Sequence, residues 1–397
     1  VSTTPPHVDG DIIHVCVDPV CRVAGGVELA VARAAAGERV ERSPCLVRCE
    51  RAPAVYVQGV GGPDPVTADD GPPPFAAGPD TGAPLLARVG TVDPNSLDAS
   101  RAAGGFVALT RAVELGGRAV VDELEAAGLT GRGGAAFPTA VKWRAVAAEP
   151  GPRHIVVNGD ESEPGTFKDR VLLEHDPFAV VEAMLVASVA TGAEHGWIYL
   201  RGEYPLAARR LEAAVDQCRA AGLLGADRSG AGPPFDVEIR RGAGAYVCGE
   251  ETALFASIEG FRGEPRSKPP FPTTHGLFGR PTVVNNPETL FGALAVVAQG
   301  AEAFRSRGTD GSPGSKLFCV AGSVARPCVV EVDFGTPLGA VIDAAGGVTG
   351  SGAPAAVLLG GAAGAFVGPD AIDLPLTFED TRAAGLTLGS GAVTVFD

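Results

Sequence analysis

From position 153 onward, short apolar runs alternate with longer segments whose apolar residues recur at helical spacing. HIVVN (154–158), WIYL (197–200) and FDVEIRRG (235–242) have the length and β-branched or aromatic content of strands. Between them, PFAVVEAMLVASVATGA (177–193) predicts a long apolar-faced helix and PLAARRLEAAVDQCRAAGL (205–223) an amphipathic one. Strands and helices in alternation predict an α/β layer sandwich.

The flanking regions read differently. Residues 12–60 predict a small α/β unit, with a strand at Ile12 to Val17, a helix at Gly26 to Ala36 and a strand at Ala54 to Val57. GVGGPDPVTADDGPPPF (59–75) has the Gly, Pro and Asp content of a linker. Leu86 to Gly131 is mostly helical in pattern. The last unit, 316–397, carries the short runs KLFCVAG, PCVVEV, AAVLLGG and AVTVF around a helix at LGAVIDAAGG, the layout of a small α+β domain. The expected division is therefore 1–75, 76–315 and 316–397.

Composition narrows the partners. With 45% hydrophobic residues in 397 the chain has material for several cores, and its net charge of −15 argues against nucleic acid. No window approaches the roughly 18 consecutive apolar residues of a membrane span, and Val1 to Asp11 lacks a signal-peptide layout. The expectation is a cytoplasmic protein, peripheral to a membrane only through partner subunits. Lysine occurs just four times, at 142, 168, 268 and 316, in a chain rich in Arg. Three of the four fall in the motifs below, where a compact ammonium does what a guanidinium does not.

Cys16-x4-Cys21 and Cys45-x3-Cys49 form two pairs near strand ends. Four thiolates so spaced suit a [2Fe–2S] cluster; zinc and loose core thiols are the competing readings. Cys218, Cys248, Cys319 and Cys328 are isolated and read as core residues.

Gly131-Arg132-Gly133-Gly134-Ala135-Ala136 follows a helical stretch, not the strand that a dinucleotide fingerprint requires. Its glycines still let backbone N–H groups approach a phosphate or a flat ring, with Phe137 placed to stack and Lys142 to meet a phosphate. NGDESEPGTFKDR (158–170) starts at a strand end, where open sheets place ligands. Asp160, Glu161 and Glu163 there suit sugar hydroxyls and repel phosphate; a solvated acidic loop is the alternative. GAGAYVCGEETALFASIEG (242–260) leads from a strand into a helix with Glu250 and Glu251 in its first turn. RSKPPFP (266–272) and VNNPETL (284–290) are loops whose Lys268, Phe271, Asn285 and Asn286 can serve a nucleotide. No Walker A motif, Ser-His-Asp order or H-E-x-x-H is present.

Taken together, GLTGRGGAAFPTAVKW, NGDESEPGTFKDR, GAGAYVCGEETAL, PRSKPPFP and VVNNPETL resemble the FMN- and NADH-binding subunit of respiratory complex I. The diaphorase subunits of NAD-dependent formate dehydrogenases and bidirectional hydrogenases are similar. Residues 316–397 resemble the ubiquitin-like SLBB domain of that family, and the N-terminal unit resembles the thioredoxin-like [2Fe–2S] domain of the partner subunit.

The resemblance implies FMN against the loop Gly131 to Phe137, Arg132, Gly133 and Gly134 included. Asn158, Asp160 and Glu161 would lie near its ribityl chain and ring, and Gly249, Glu250, Asn285 and Asn286 would complete the pocket. NAD(H) would stack beside it on Phe137, Lys142, Glu163, Tyr246, Glu251, Lys268 and Phe271, with the catalytic carboxylates at Glu163 and Glu251. The implied chemistry is hydride transfer from NADH to FMN, then release of single electrons to iron–sulfur centres in a complex I-like, formate dehydrogenase or hydrogenase assembly.

Three departures stand out. The family's C-terminal [4Fe–4S] cluster run is not expected in this chain, which ends TVFD; the stretch between the Cys pairs is short; and Ala136 replaces the usual third glycine. A non-catalytic relic or assembly protein lacking the exit cluster is the alternative from another class.

Overall fold

The computed structural model describes residues 12–43, 49, 52–58, 75–77, 82, 84–228, 232–350 and 352–397. Near the N-terminus, β1 (Ile12–Cys16) pairs parallel with β2 (Val40–Ser43) and antiparallel with β3 (Val55–Gln58). The helix Gly26–Ala35 connects the parallel pair and packs on it. A short helix, Pro19–Val23, leans instead on the C-terminal sheet, and its Val20 joins the main core. Most of the expected linker lies outside the described residues. At its end β4 (Phe75–Ala77) pairs with a C-terminal strand, crossing the boundary drawn at 75.

The middle of the chain builds a four-stranded parallel sheet in the order β7-β6-β5-β8. Its strands are β5 (His154–Gly159), β6 (His195–Leu200), β7 (Asp236–Arg241) and β8 (Thr282–Asn285). The centre of β5, Ile155–Val157, is a continuous apolar run because both faces are covered. Ile155 and Val157 enter the large helical core, while Val156 meets Trp197, Phe255 and Leu277 on the other side. The helix Pro177–Thr191 starts with a proline in its first turn, is capped by Asp176 accepting from the Ala179 amide, and stops at Gly192 (φ 68°). It is buried on almost every side, which explains its continuous apolarity. The amphipathic helix runs Pro205–Ala220. Residues 97–127 form three helices, Leu97–Ala102, Val107–Leu115 and Gly117–Ala127.

The C-terminal sheet is mixed, ordered β12-β11-β13-β9-β10-β4. It comprises β9 (Ser315–Gly322), β10 (Cys328–Asp333), β11 (Ala356–Leu359), β12 (Ala365–Val367) and β13 (Ala392–Phe396). The helices Leu338–Ala344 and Phe378–Ala383 accompany it. Alternation along β9 ties the two units together: Phe318 and Val320 fill the C-terminal core, whereas Leu317, Cys319 and Ala321 pack into the core of the parallel-sheet unit. Cys218, Cys248, Cys319 and Cys328 are all buried, as expected. No helix among the described residues is long and apolar enough to cross a membrane.

Candidate functional site

The loops after β5 and β8 converge on a cleft of about 680 Å3 at the carboxyl ends of the strands. The glycine-rich loop enters first. It is closed by the Gly131 amide donating to Phe137 O at 2.9 Å and leads into the helix Thr139–Ala148. Ala136 adopts φ 50°, in the left-handed region, where a methyl-bearing residue costs roughly 1 kcal/mol more than glycine. The replacement of the third glycine is thus accommodated at a local strain.

Gly131, Gly133, Phe137 and Lys142 line this cleft with Asn158, Gly249, Glu250, Glu251, Lys268, Phe271, Asn285 and Asn286. Phe137 and Phe271 leave 50% and 58% of their surface open at the walls. The amides are held by their neighbours. Trp143 Nε1 donates to Asn285 Oδ1 at 2.8 Å, and Asn158 Nδ2 donates to Gly249 O at 2.8 Å. Asn286 caps the helix Pro287–Gln299 through its Oδ1, while its Nδ2 donates to Asp169 Oδ2 at 2.6 Å.

The two cleft lysines are tethered. Lys142 Nζ donates to Val284 O at 2.9 Å, and burial pushes its pKa down. Lys268 Nζ sits 2.9 Å from Glu250 Oε1 and 2.6 Å from Glu251 Oε1. Burial opposes its charge, but Glu251 and Glu250 outweigh that and raise its pKa. The helix starts one residue later than the sequence suggested. Glu250 is its N-cap, accepting from the Thr252 and Ala253 amides at 2.8 and 3.0 Å, and only Glu251 lies in the first turn.

A second recess of about 410 Å3 adjoins the first through Gly133, Asn158, Gly249, Glu250 and Asn286. Asp160, Glu161, Glu163 and Tyr246 line it with Ser162, Thr166, Asp169 and Ser390. Burial, opposed mainly by the Ser162 hydroxyl, pushes Asp160 up to about 6. Burial and the neighbouring Asp169 push Glu161 up to about 7. Glu161 is engaged within the fold: it accepts from the Asp169 and Arg170 amides at 3.0 Å each and from the Tyr204 hydroxyl at 2.9 Å. That pins the start of the helix Lys168–His175.

Arg132 is not brought to either cleft. Its guanidinium is buried against the C-terminal unit, donating to Pro313 O at 3.0 Å and lying 4.5 Å over the Phe334 ring. Burial lowers its pKa to about 10. Gly134 likewise turns toward the backbone of Gly389 and Ser390. The arginine side chain is long enough to reach past its own loop, which the position of the residue in the motif does not reveal.

Sequence reasoning passed over Thr289, Asp169 and Ser390. Thr289 Oγ1 takes the Arg132 amide at 2.8 Å and lines the first cleft. Ser390 arrives from the far end of the chain, its Oγ buried without a hydrogen-bond partner. The turn LGSG (388–391) was the available signal. The scarcity of lysine pointed further than the motifs did. Lys168 and Lys316, both fully buried, flank Glu288 at 2.5 and 3.7 Å. Burial alone would lower Lys168, yet Asp169 and Glu288 hold it well above the ordinary lysine range, while burial pushes Lys316 down to about 8.

The donor set fits a flavin mononucleotide. A glycine loop passes so close to Asn286 that a Cβ at Gly133 would lie 3.2 Å from the Asn286 Cβ. Flat apolar walls, amide groups for a heteroaromatic edge and a hydroxyl- and carboxylate-rich recess for a polyol complete the cradle.

The family model for the Nuo51 FMN-binding domain matches residues 124–294, and that for the SLBB domain matches 317–362. The chain is 42% identical over 316 residues to the second F-type subunit of NADH-quinone oxidoreductase from Rhizobium meliloti (strain 1021), which covers 79% of this chain and 75% of the relative. The chain belongs to the NuoF family of NADH-quinone oxidoreductase subunits. Another NuoF, from Aquifex aeolicus (strain VF5), is 42% identical over 302 residues, with 76% of this chain and 70% of the relative covered. The NADP-reducing hydrogenase subunit HndC of Solidesulfovibrio fructosivorans is 43% identical over 310 residues, or 78% of this chain, which spans 63% of HndC. Among solved structures, an NAD+-reducing [NiFe]-hydrogenase in the H2-reduced state superposes with a TM-score of 0.81 at 34% identity, covering 100% of this chain and 69% of that one. The chain is thus a NuoF-like flavoprotein, with an NADP-reducing hydrogenase subunit at comparable identity.

Proposed function

We propose that this NuoF-like chain binds FMN and NADH side by side in the paired clefts and oxidises NADH. The observation that carries the reading is the convergence of five sequence motifs, far apart in the chain, on one cleft at the strand ends. When bound, FMN supplies a two-electron acceptor for the NADH hydride that releases electrons singly. The chain's own contribution is placement. Asn158, Asn285 and Asn286, each fixed by a neighbour, orient the flavin edge; Phe137 and Phe271 offer faces for stacking. Lys142 and Lys268 offer charge to the dinucleotide phosphates, and Glu163 and Glu251 bracket the reacting side.

The test is anaerobic titration of FMN-reconstituted protein with NADH. Bleaching of the flavin band supports the proposal; a flavin that NADH leaves oxidised overturns it and favours the relic or assembly role.

The division into 1–75, 76–315 and 316–397, with a thioredoxin-like first unit, belongs to the same reading. So does a [2Fe–2S] cluster on Cys16, Cys21, Cys45 and Cys49 as the electron exit. Cys16, Cys21 and Cys49 are buried, and Cys45 lies outside the described residues. Among the described residues no group of three or more His, Cys, Asp or Glu is arranged for a metal. Cys45→Ser is expected to abolish an iron–sulfur EPR signal with FMN retained. One observation favours a diaphorase role within a hydrogenase-type assembly: the hydrogenase structure covers the whole chain, N-terminal unit included. Co-purifying subunits distinguish that assembly from a quinone-linked one.

A further inference from the structure

The Glu163 carboxylate is held from two sides. Its Oε2 accepts from the Tyr246 hydroxyl at 2.7 Å, within the nucleotide-binding unit. Its Oε1 accepts from the backbone amides of Ala362 and Ala363, at 2.5 and 3.4 Å, on a turn of the C-terminal unit. That turn, residues 360–364, joins β11 to β12 and presents two successive N–H groups to the carboxylate. Gly361 makes the approach feasible. It is buried with φ +84°, and a Cβ there would stand 2.5 Å from both Glu163 Cγ and Glu163 Oε1. A second C-terminal turn closes over the glycine loop, where Gly134 faces Gly389 and Ser390 reaches the recess.

We propose that the C-terminal unit is a working wall of the nucleotide site, in which the 360–364 turn sets where the Glu163 carboxylate stands and Gly361 is the positioning residue. This rests on the reading of the paired clefts as an NADH site. A carboxylate at a cleft rim, left to itself, samples several rotamers. Two fixed amides on one oxygen and a phenol on the other select one of them before nucleotide arrives, so less side-chain freedom is lost on binding. Glu163 touches the ligand; Gly361 acts only through Glu163.

The test measures NAD+ binding to the FMN-reconstituted full chain by calorimetry, with KM and kcat for NADH followed using ferricyanide. Gly361→Ala is expected to weaken NAD+ binding about five- to tenfold and raise KM more than it lowers kcat. Gly385→Ala is the control for backbone strain, since Gly385 has φ +72° and open space around its Cβ position, and it leaves affinity unchanged. In a Glu163→Ala background, Gly361→Ala adds no further loss. Hydrogen exchange in the unmutated chain gives a reading independent of whether Gly361→Ala folds. The amides of 362 and 363 exchange slowly, are slowed further by NAD+, and lose that protection in Glu163→Ala. Unchanged affinity in Gly361→Ala, equal loss with and without Glu163, or exchange at 362 and 363 indifferent to Glu163 overturns the inference. Failure of the unmutated chain to bind NAD+ overturns the nucleotide reading instead.

Discussion

Glu251 lies between the two lysines of the cleft, its Oε1 2.6 Å from Lys268 Nζ and its Oε2 3.9 Å from Lys142 Nζ. The pairing leaves each ammonium partly neutralised and keeps both at fixed places on the wall. Lys268→Ala removes one cation and frees Glu250 and Glu251 to repel a phosphate. KM for NADH is expected to rise about tenfold, the worth of one charge-assisted hydrogen bond, with kcat changed much less. A KM left as it was would remove Lys268 from the nucleotide contacts.

The 2.5 Å contact of Lys168 with Glu288 is of another kind, because neither side chain reaches water. Glu288 also takes the Leu317 amide at 2.8 Å, at the seam between the two larger units. Glu288→Gln leaves buried Lys316 without its paired carboxylate and Lys168 with Asp169 alone, at 3.1 Å. It is expected to destabilise by about 3–5 kcal/mol, read as a lower midpoint in urea unfolding. A Glu288→Leu, Lys316→Met double variant, which keeps Lys168 paired with Asp169, should recover part of that loss.

Burial pushes Glu331 up to about 7, although it accepts from Ser315 Oγ at 2.6 Å and from the Leu85 and Leu86 amides. The folded chain therefore holds a proton that the unfolded chain releases at an ordinary carboxylate pKa. The stability gained is full below that ordinary value and is lost as pH rises through about 7. In Glu331→Gln the fall in Tm between pH 5 and 8 should flatten; an unaltered slope would show that the carboxyl does not titrate in this window.

Arg132 separates sequence expectation from structure. Since its guanidinium braces Pro313 and Phe334, Arg132→Met is expected to cost about 2–4 kcal/mol in stability while the FMN dissociation constant stays within about twofold. Fluorescence titration checks the second figure. A large loss of flavin affinity in a stable variant would return the side chain to the cofactor.

The alternation of strands and helices was legible because each element carries its signal locally: short apolar runs in β5 and β6, length and continuous apolarity in the helix Pro177–Thr191, and amphipathic spacing in Pro205–Ala220. The cleft was legible for the same reason: its residues cluster in five short motifs, three of them following strands and two in loops between helices. What was hidden depends on contacts between distant segments. Glu161 sits in an acidic run, and only the fold shows the Asp169 amide and Tyr204 claiming its carboxylate. Glu288 reads as an ordinary first-turn glutamate until β9 brings Lys316 beside it. Ser390 is marked in sequence only as part of the turn LGSG (388–391), and the fold alone brings it to the recess.

The short strand β4 also changes how the C-terminal sheet meets its surroundings. Strand β10 carries Val329, Val330 and Val332, and with β4 removed its row of backbone donors and acceptors would lie open beside them. Such an edge recruits strands from other molecules. Three residues from before the parallel-sheet unit occupy it, so the chain supplies its own blocker against edge-to-edge association. A fragment beginning at 316 would expose that edge, and its sticking to itself would say little about the intact protein.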